Sequence, residues 1–426
     1  MLRYLYTAIL YLTLPLILLR LWWRGRRASA YRRRWSERFG FVTPVDCSGA
    51  IWLHAVSVGE TRAALPLIRA LQDRYPDRPL IVTTITPTGS QQVRDTLGQT
   101  VLHCYAPYDL PDAVSRFLHR TRPALAIIME TELWPNLLAG CEQAGIPVLL
   151  ANARLSPKSA RGYRRIRLLT EPMLARLALI AAQSPADGER FGQLGAPAAR
   201  VEILGNIKYD LDIASDLPEQ GRQLRDRLGA ADRPVWIAAS THQGEEPQVL
   251  DAFDRIRQQS PEALLILVPR HPERFDDVAR LCRQAGWAVA RRSHHQLCQV
   301  ETAIYLGDTM GELLLLFAAA DVAFVGGSLV PVGGHNVLEP AALGLPVLFG
   351  PQMFNFADAA AGLLNADAAV QIVGSEHLAQ QVLALSDNRV AAKAMGTRAR
   401  QVVMNNRGAL QRHLQAVERL LSGNSD

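Results

Sequence analysis

A glutamate follows the first apolar segment in the body of the chain and begins an amphipathic segment. The motif is His54-Ala-Val-Ser-Val-Gly-Glu60, in which Gly59 allows a sharp backbone turn before ETRAALPLIRAL. A carboxylate at a helix N-terminus interacts favourably with the helix dipole, which would lower the pKa of Glu60 and keep it ionised. Ionised Glu60 could act as a general base on a substrate hydroxyl. The alternative is that Glu60 only stabilises the start of the helix.

Two more carboxylates, Glu130 and Glu132, follow the fourth apolar segment, LAIIMETE. Residues at i and i+2 lie on the same face of a strand, provided that the strand continues through them. Together they could bind hydroxyl groups of an acceptor substrate. A solvated pair at the rim of the sheet is the alternative.

Three motifs in the second half of the chain could bind a nucleotide. Arg270 ends a strand in VPRHP, and its guanidinium could clamp a phosphate or stack on a base. In GDTMGE, Met310, Gly311 and Glu312 could contact a nucleoside. Residues 240–246, STHQGEE, form a third turn with N-capping hydroxyls and acidic first-turn residues. Each motif alone is typical of a helix cap, but their recurrence at strand ends indicates a binding site.

The stretch 321–351, DVAFVGGSLVPVGGHNVLEPAALGLPVLFGP, is typical of a nucleotide-sugar site. Its short strand ends at Gly326-Gly327, which predicts exposed backbone amides. After Gly333-Gly334, Asn336 could cap a helix whose third position is Glu339, as in a capping box. Helix N-termini that follow glycine loops bind anions. An ordinary βαβ turn with a capping glutamate is the alternative.

Several common enzyme signatures are absent from the sequence. It contains no GxxxxGK[ST], GxGxxG or HExxH, and neither Ser57 nor Ser328 lies in GxSxG. These absences weigh against hydride transfer and serine hydrolysis. The adjacent His294 and His295 have no third ligand beside them, so we interpret them as surface residues rather than a metal site.

Short β-rich segments alternate with amphipathic segments from Ala50 onwards, which predicts parallel sheets covered by helices. The first set is IWLHAV, LIVTTIT, TVLHCYA, LAIIMETE, VLLANARLS, LALIAAQS and VEILGNIK. The second set is PVWIAAS, ALLILVPR, AVARR, TAIYLGD, DVAFVGG, PVLFGP and AVQIVG. The pattern predicts an α/β protein with two Rossmann-like domains, a linker at 211–233, and a ligand site in the cleft between the domains.

The N-terminal segment is predicted to attach the protein to a membrane. Residues 4–19 carry no charge, and if Arg20 snorkels the apolar segment reaches the ~20 residues that span a bilayer. Trp22 and Trp23 suit the interface, and the arginines that follow place the remaining chain in the cytoplasm. Because of Pro15 and the short apolar core, a helix lying in the interface remains an alternative, as does a cleavable signal peptide.

The predicted segments are residues 1–23 for a membrane anchor, 24–49 for a basic juxtamembrane segment, 50–215 for an acceptor domain, 216–403 for a donor domain, and 404–426 for a C-terminal helix that could pack on the first domain.

Positive charge is concentrated near the N-terminus. The 426 residues carry a net charge of +6, whereas residues 1–40 contain nine Arg and one Glu, a net charge of +8. The remaining 386 residues therefore carry −2, which argues against nucleic-acid binding. The odd number of scattered cysteines, without a CxxC pair, favours a reducing compartment. They are Cys47, Cys104, Cys141, Cys282 and Cys298.

In combination, several motifs resemble the lipid A Kdo transferases of Gram-negative bacteria. They are HAVSVGE, METELWPN, NARLS, GNIKYD, STHQGEE, VPRHPERF, GDTMGEL and the 321–351 stretch, together with the apolar N-terminus. The resemblance extends to about residue 360. It implies a GT-B glycosyltransferase on the cytoplasmic face of the bacterial inner membrane. Such enzymes move 3-deoxy-D-manno-octulosonic acid (Kdo) from CMP-Kdo to the lipid A precursor, lipid IVA, with inversion and without a metal or other cofactor.

The resemblance also implies roles for individual residues. Glu60 matches the catalytic base, and Glu130 and Glu132 match an acidic acceptor-side motif, with Ser57 and Gly59 beside them. The positions that match CMP-binding residues are Pro269, Arg270, Met310, Gly311, Glu312, Asn336 and Glu339. From the residue types we add Ser328 and Gly334 near the phosphate, and Lys208 near the Kdo carboxylate or a phosphate.

Two other functional classes remain open at this point. A GT-B sugar-nucleotide 2-epimerase would share the architecture, but it would bind UDP and would have no use for a membrane anchor. A non-catalytic, membrane-tethered nucleotide-sugar binder is disfavoured by the convergence of carboxylates and basic residues. The motifs would be shared by enzymes that add one, two or three Kdo residues.

Overall fold

A computed structural model describes residues 2–45 and 49–423, so that Cys47 lies outside the described residues. The chain forms two compact units, one of residues 1–210 with 407–426 and the other of residues 211–406. Each unit contains one parallel, seven-stranded sheet within the described ranges. The four cysteines that the structure describes are free thiols.

The sheet of the first unit has the strand order β3-β2-β1-β4-β5-β6-β7. Its strands are β1 (Ala50–His54), β2 (Leu80–Thr84), β3 (Leu102–Tyr105), β4 (Pro123–Met129), β5 (Val148–Ala153), β6 (Leu179–Ala182) and β7 (Val201–Ile203). The sheet of the second unit has the order β10-β11-β9-β8-β12-β13-β14. Its strands are β8 (Val235–Thr241), β9 (Leu264–Pro269), β10 (Val289–Arg291), β11 (Ile304–Leu306), β12 (Val322–Val325), β13 (Val347–Phe349) and β14 (Ala369–Gln371). Each strand overlaps a segment for which the sequence predicts one.

Within the residues that the structure describes, eight α-helices of the first unit precede the second unit in sequence. They are α1 (Leu2–Arg27), α2 (Val58–Arg74), α3 (Pro87–Leu97), α4 (Pro111–Thr121), α5 (Pro135–Gln143), α6 (Pro157–Arg165), α7 (Arg167–Leu174) and α8 (Pro185–Gln193). The second unit contains α9 (Leu217–Arg227), α10 (Glu246–Gln259), α11 (Phe275–Gln284), α12 (Leu313–Ala318), α13 (Leu338–Ala342), α14 (Ala357–Asn365), α15 (Gly374–Asp387) and α16 (Arg389–Asn406). The last helix, α17 (Ala409–Ser422), belongs to the first unit.

Alternating residues of the central strands supply two separate cores in the first unit. Ile51 and Leu53 of β1 face a cluster that includes residues of α2 and α17, such as Leu67 and Val417. Trp52, between them in sequence, faces a cluster with Phe117 of α4. Because side chains alternate across a strand, a strand that is apolar at every position is buried on both faces.

Each sheet has one switch point, where strands on one side continue the chain in one direction across the sheet and strands on the other side continue it in the opposite direction. β1 is bonded to β4 in the first unit, and β8 is bonded to β12 in the second. In open α/β sheets, ligands bind outside the carboxyl ends of strands at such switch points. Residues that directly follow these four strands are therefore the first candidates for a functional site.

The segment 211–233, which the sequence predicts to be a polar, turn-rich linker, contains a helix, α9, at its centre. The segment is mostly polar, but Leu217, Gly221 and Leu224 are buried on one face of the helix. A β-carbon at Gly221 would lie 2.4 Å from the carbonyl oxygen of Ala318, so only glycine permits this close approach. The apolar face is too sparse to stand out in the sequence.

The N-terminal helix α1 is long and apolar enough to cross a membrane. An 18-residue window of the segment Leu2–Arg26 has a mean hydropathy of 1.7, and the helix contains Pro15. Several of its large side chains are exposed, including Leu12 at 80% and Leu16 at 66%.

Candidate active site and nucleotide-binding surface

Glu60 lies in the first turn of α2, directly after β1, where a capping box holds its carboxylate. The Ser57 hydroxyl accepts a hydrogen bond from the Glu60 amide at 3.3 Å and donates to Glu60 Oε1 at 2.9 Å. The Val56 amide donates to Glu60 Oε2 at 2.8 Å. Each carboxylate oxygen has a second lone pair, so Glu60 could cap the helix and also accept a hydrogen bond from a substrate.

The pKa of Glu60 differs from the expectation based on the helix dipole. It is raised from 4.5 to about 7. Burial is the largest cause and the charges of Glu132 and Glu130 add to it, against the lowering effect of the Val56 and Ser57 hydrogen bonds. The expectation of a lowered pKa is therefore wrong, because desolvation of the carboxylate outweighs the helix N-terminus. A carboxylate with a pKa near 7 is well suited to general base catalysis.

Glu130 and Glu132 follow β4, the strand next to β1, and both lie close enough to Glu60 to affect its pKa. The expectation that the strand continues through them is wrong, because β4 ends at Met129 and Glu130 has a left-handed φ of 56°. Glu132 accepts a hydrogen bond from Trp134 Nε1 at 3.1 Å, and burial raises its pKa. The turn thus brings the three carboxylates together at the switch point.

Lys208 also lies in the first unit, beside the carboxylates. Its ammonium group is 3.6 Å from Glu130 Oε1, and both side chains are partly exposed. It belongs to a short 3-10 helix (Ile207–Tyr209) that follows β7. A cation here offsets part of the repulsion between the carboxylates.

Tyr163 of α6 is a residue of this site that the sequence interpretation did not include. Its hydroxyl donates to the Thr131 carbonyl at 3.3 Å, and burial together with the charge of Glu132 raises its pKa. No sequence signal links Tyr163 to the turn at Glu130 and Glu132, since they come together only through packing of α6 against that turn.

In the second unit, the loop that begins at Gly326-Gly327 binds a carboxylate of the protein itself. Glu245 is fully buried. Its carboxylate accepts hydrogen bonds from the amides of Gly327, Ser328 and Leu329 at 2.6, 2.9 and 2.9 Å. It also accepts one from His242 N at 2.9 Å. The expectation that these loop amides are exposed for an anion is therefore wrong, because Glu245 already occupies the position of the anion.

Ser328 does not face a ligand either. It is fully buried, its hydroxyl donates to the Val325 carbonyl at 2.6 Å, and the same oxygen accepts from Gly350 N at 2.8 Å. The prediction that its hydroxyl contacts the donor phosphate is wrong for this structure. Ser328 instead ties the end of β12 to the end of β13.

The second glycine pair is required by close packing. Gly333 and Gly334 have φ values of 107° and 73°, and both amides donate to the Gly327 carbonyl, at 3.1 and 2.7 Å. β-carbons at these positions would lie 2.4 Å from Phe354 and 2.3 Å from Met353. Gly334 thus holds the loop in place through its backbone.

Asn336 and Glu339 are hydrogen-bonded to each other, and Arg270 lies close enough to affect the pKa of Glu339. Asn336 Nδ2 donates to Glu339 Oε1 at 3.0 Å, and the Leu338 amide donates to Asn336 Oδ1 at 3.1 Å. Helix α13 begins at Leu338, directly after Val337 and therefore where the sequence predicts it, and it has only five residues. Burial raises the pKa of Glu339, while the Arg270 charge lowers it. Arg270 follows Pro269, the last residue of β9.

Glu312 is paired with an arginine that the sequence interpretation did not include. Arg292 donates to Glu312 Oε1 at 2.6 Å and to Oε2 at 3.1 Å, and this pairing lowers the Glu312 pKa. The adjacent Met310 is 63% exposed, and Gly311 has a φ of 85°. Met310 and the backbone at Gly311 are thus the parts of this motif that face solvent.

Three histidines from separate strand-end loops meet above Gly327. The rings of His242 and His335 are stacked with centroids 5.0 Å apart, and their Nε2 atoms are 2.7 Å apart. The His271 ring packs edge-on against His242, also at 5.0 Å. Burial lowers the pKa of His242, as do the charges of His271 and Arg270. Because the two Nε2 atoms are at hydrogen-bond distance, one of them carries the hydrogen and the other accepts it.

These histidines do not form a metal site. Within residues 2–45 and 49–423, no group of three or more His, Cys, Asp or Glu side chains could hold a metal ion. Each histidine lies in one of the motifs STHQGEE, VPRHP and GGHN. The presence of one histidine in each of three strand-end motifs was the signal from which the cluster could have been predicted.

Comparison with known proteins agrees with these motifs. Residues 33–211 match the model of the family described as 3-deoxy-D-manno-octulosonic-acid transferase (kdotransferase). The chain is 42% identical to the 3-deoxy-D-manno-octulosonic acid transferase of Haemophilus influenzae, with 99% of each chain covered. It is 38% identical to the enzyme of the same name from Bordetella pertussis, with 98% of this chain and 99% of the other covered.

A solved structure supports the fold assignment. The Anabaena protein HepE, solved in complex with UDP, has a TM-score of 0.57 and 18% identity, with 88% of this chain and all of that chain covered. At this identity the likeness supports the fold alone, which is of the GT-B type with two Rossmann-like domains. On the strength of the near full-length identity to named enzymes, the chain belongs to the 3-deoxy-D-manno-octulosonic acid transferase family.

Proposed function

We propose that this Kdo transferase moves Kdo from CMP-Kdo to lipid IVA with inversion, on the cytoplasmic face of the bacterial inner membrane, in lipopolysaccharide core biosynthesis. The observation that carries the catalytic assignment is Glu60, whose carboxylate lies at the switch point of the first sheet with a pKa raised to about 7. Glu130, Glu132, Ser57 and Gly59 are proposed to line the acceptor side.

The reaction is a single displacement. Glu60 takes the proton of the acceptor's primary hydroxyl as that oxygen bonds to the anomeric carbon of Kdo. The bond from this carbon to the phosphate oxygen breaks, and CMP leaves with the electron pair. Attack from the face opposite the leaving group inverts the anomeric centre. Lys208, held beside Glu130, is proposed to meet the Kdo carboxylate or an acceptor phosphate.

CMP is proposed to bind at the carboxyl edge of the second sheet. Arg270 supplies positive charge, and the three histidines supply N–H donors, for the phosphate, where negative charge develops as the bond breaks. Asn336 and Glu339 are proposed to contact phosphate or ribose, and Met310 with the backbone of Gly311 to contact the base. Pro269, Glu312 and Gly334 shape this surface.

Glu60→Gln tests the assignment of the base. The amide cannot accept a proton, so we expect transfer to fall by at least about a hundredfold, since general base catalysis typically contributes ~10² to 10⁴. CMP binding, measured by calorimetry, should be unchanged because Glu60 lies in the other unit. Glu171→Gln, an exposed glutamate on α7, is the matched control. Retained turnover in Glu60→Gln would remove Glu60 as the base.

Arg270→Ala tests the donor site. We expect CMP affinity to fall by about tenfold or more, because a charge-assisted hydrogen bond is worth about 1.5–3 kcal/mol. Arg283→Ala, an exposed arginine on α11, should leave the affinity unchanged. Thermal stabilisation by CMP should exceed that by UDP; a preference for UDP would favour an epimerase-like function, and unchanged CMP affinity in Arg270→Ala would reject this donor site.

A further inference from the structure

The N-terminal helix lies along the surface of the first unit. Its partly buried residues recur at helical spacing over most of its length: Arg3, Tyr6, Thr7, Leu10, Thr13, Leu14, Ile17, Leu18 and Leu21. A helix that projected freely from the domain would show no such stripe. The helix contacts α5 and α7. One face of α1 is therefore directed towards the protein.

Polar contacts fix the first three turns of α1 to the domain. Asn136 Nδ2, at the start of α5, donates to Thr7 Oγ1 at 2.9 Å. The Tyr11 hydroxyl donates to Asp112 Oδ1, in the first turn of α4, at 2.6 Å. The backbone of Asn136 is itself anchored, since its amide donates to the buried Asp109 carboxylate at 3.1 Å.

These contacts leave too little helix to cross a bilayer. The residues beyond Tyr11, as far as Trp23, extend about 18 Å at 1.5 Å per residue, against a hydrocarbon core of about 30 Å. To span with the contacts intact, Asp112 and the polar start of α4 would have to enter the hydrocarbon. Burial of such groups without water is costly, so the contacts and a spanning orientation are mutually exclusive.

The opposite face of α1 is a continuous apolar stripe. Its members recur at i, i+4, i+7 and i+11 and are each exposed by half or more: Leu5, Ile9, Leu12, Leu16, Leu19 and Trp23. Such a stripe is characteristic of a helix that lies in the membrane interface with one face among the acyl chains. At its end, Trp22 lies under the Arg26 guanidinium, 4.4 Å from the ring centroid.

A basic surface lies on the helices next to α1. Helix α7 contacts α1, and α6 contacts α7. Residues 143–170 contain no Asp or Glu. The exposed basic side chains of α6 and the start of α7 are Lys158, Arg161, Arg164, Arg165 and Arg167, and Leu168 beside them is 78% exposed. Positive charge next to exposed apolar side chains is complementary to an anionic lipid surface.

We infer that the protein is monotopic: α1 lies in the plane of the cytoplasmic leaflet, with its apolar stripe in the acyl layer and the α6–α7 basic surface on anionic headgroups. This inference rests on the membrane attachment in the proposed function but not on the transfer reaction. It places both ends of α1 on the same side of the membrane.

Topology mapping tests the orientation. An epitope tag is placed before Met1 of the full-length chain, and sealed inverted vesicles, with the cytoplasmic face outwards, are treated with protease. We expect the tag to be cleaved as readily as a tag placed after Asp426. Protection of the N-terminal tag until detergent is added would overturn the inference. Kdo transfer in the same vesicles reports separately on the proposed function.

Vesicle binding tests the basic surface. The triple variant Arg161→Glu, Arg164→Glu, Arg165→Glu of the purified full-length chain should bind phosphatidylcholine–phosphatidylglycerol vesicles at least about tenfold more weakly, since each basic residue contributes near an anionic surface. Binding to pure phosphatidylcholine should change little. The control variant Arg280→Glu, Arg283→Glu, Arg400→Glu carries the same charge change in the second unit. Equal binding by the two triple variants would remove the α6–α7 surface from the interface.

Discussion

At the scale of single residues, the reactivity of Glu60 depends on its pKa, which its surroundings determine. Two hydrogen bonds from Val56 and Ser57 favour the carboxylate, but burial and two neighbouring glutamates favour the protonated form. The net effect is a pKa of about 7. Because a general base acts only when ionised, we expect kcat/KM to rise about tenfold per pH unit below 7 and to level off above it. A pH–rate profile that is flat between pH 5.5 and 8 would contradict this.

Glu132→Gln tests whether the charge of Glu132 contributes to the raised pKa of Glu60. Removing a negative charge near Glu60 makes ionisation of Glu60 easier, so the break in the profile should move to lower pH. Glu142→Gln, on an exposed glutamate of α5 that pairs with Arg176, should leave the break where it is. Because Glu132 is also proposed to contact the acceptor, the KM for the acceptor is determined together with the pH–rate profile. A change in acceptor KM without a shift in the break would assign Glu132 to binding alone.

At the scale of elements, the proposed CMP site of the second unit depends on how closely the ends of β8 and β12 approach each other. A β-carbon at Gly326 would lie 2.8 Å from the Ser240 carbonyl oxygen and 3.0 Å from Glu245 Oε2. We expect Gly326→Ala to separate the loops, weaken the Glu245 hydrogen bonds, and reduce the free energy of unfolding by ~1–3 kcal/mol. Chemical denaturation and CMP titration measure both effects.

Gly192→Ala is the matched control for Gly326→Ala. Gly192 lies within α8, and a β-carbon there would meet no atom within 4 Å. Alanine has the higher helix propensity, so the control should be neutral or slightly stabilising. If Gly326→Ala is equally neutral and CMP affinity is unchanged, the close approach of β8 and β12 does not organise the donor site.

Much of this architecture could be predicted from the sequence, because apolar strands in parallel sheets have a distinct local pattern. The segments containing β1 and β4, and with them the positions of Glu60 and Glu130, follow from that pattern. The role of Glu245 could not be predicted, since a glutamate in a polar turn resembles a solvated cap until β12 is placed beside β8. The stacking of His242 on His335 depends on the same pairing of distant segments.

At the scale of the whole molecule, the chain leaves the first unit after Asp210 and returns at Arg407. Asp210 fixes the return, because its carboxylate accepts hydrogen bonds from Gly408 N at 2.5 Å and Leu410 N at 2.6 Å. Helix α17 then packs in the core formed with α2. The C-terminal helix therefore completes the unit that contains Glu60, although it lies beyond the whole of the second unit in sequence.

The contact that links α17 to the candidate active site is made by His413. Its buried Nε2 accepts a hydrogen bond from Asn152 N at 2.9 Å, and Asn152 Oδ1 accepts one from the amide of Ile207, next to Lys208. We expect His413→Ala to reduce the free energy of unfolding by ~1–3 kcal/mol, because it leaves a buried amide without a partner. It should also raise the acceptor KM, as Lys208 loses its support. Gln415→Ala, exposed on the same helix, controls for helix propensity. A stability loss without any change in acceptor KM would separate the C-terminal helix from the acceptor site and leave it a purely structural role.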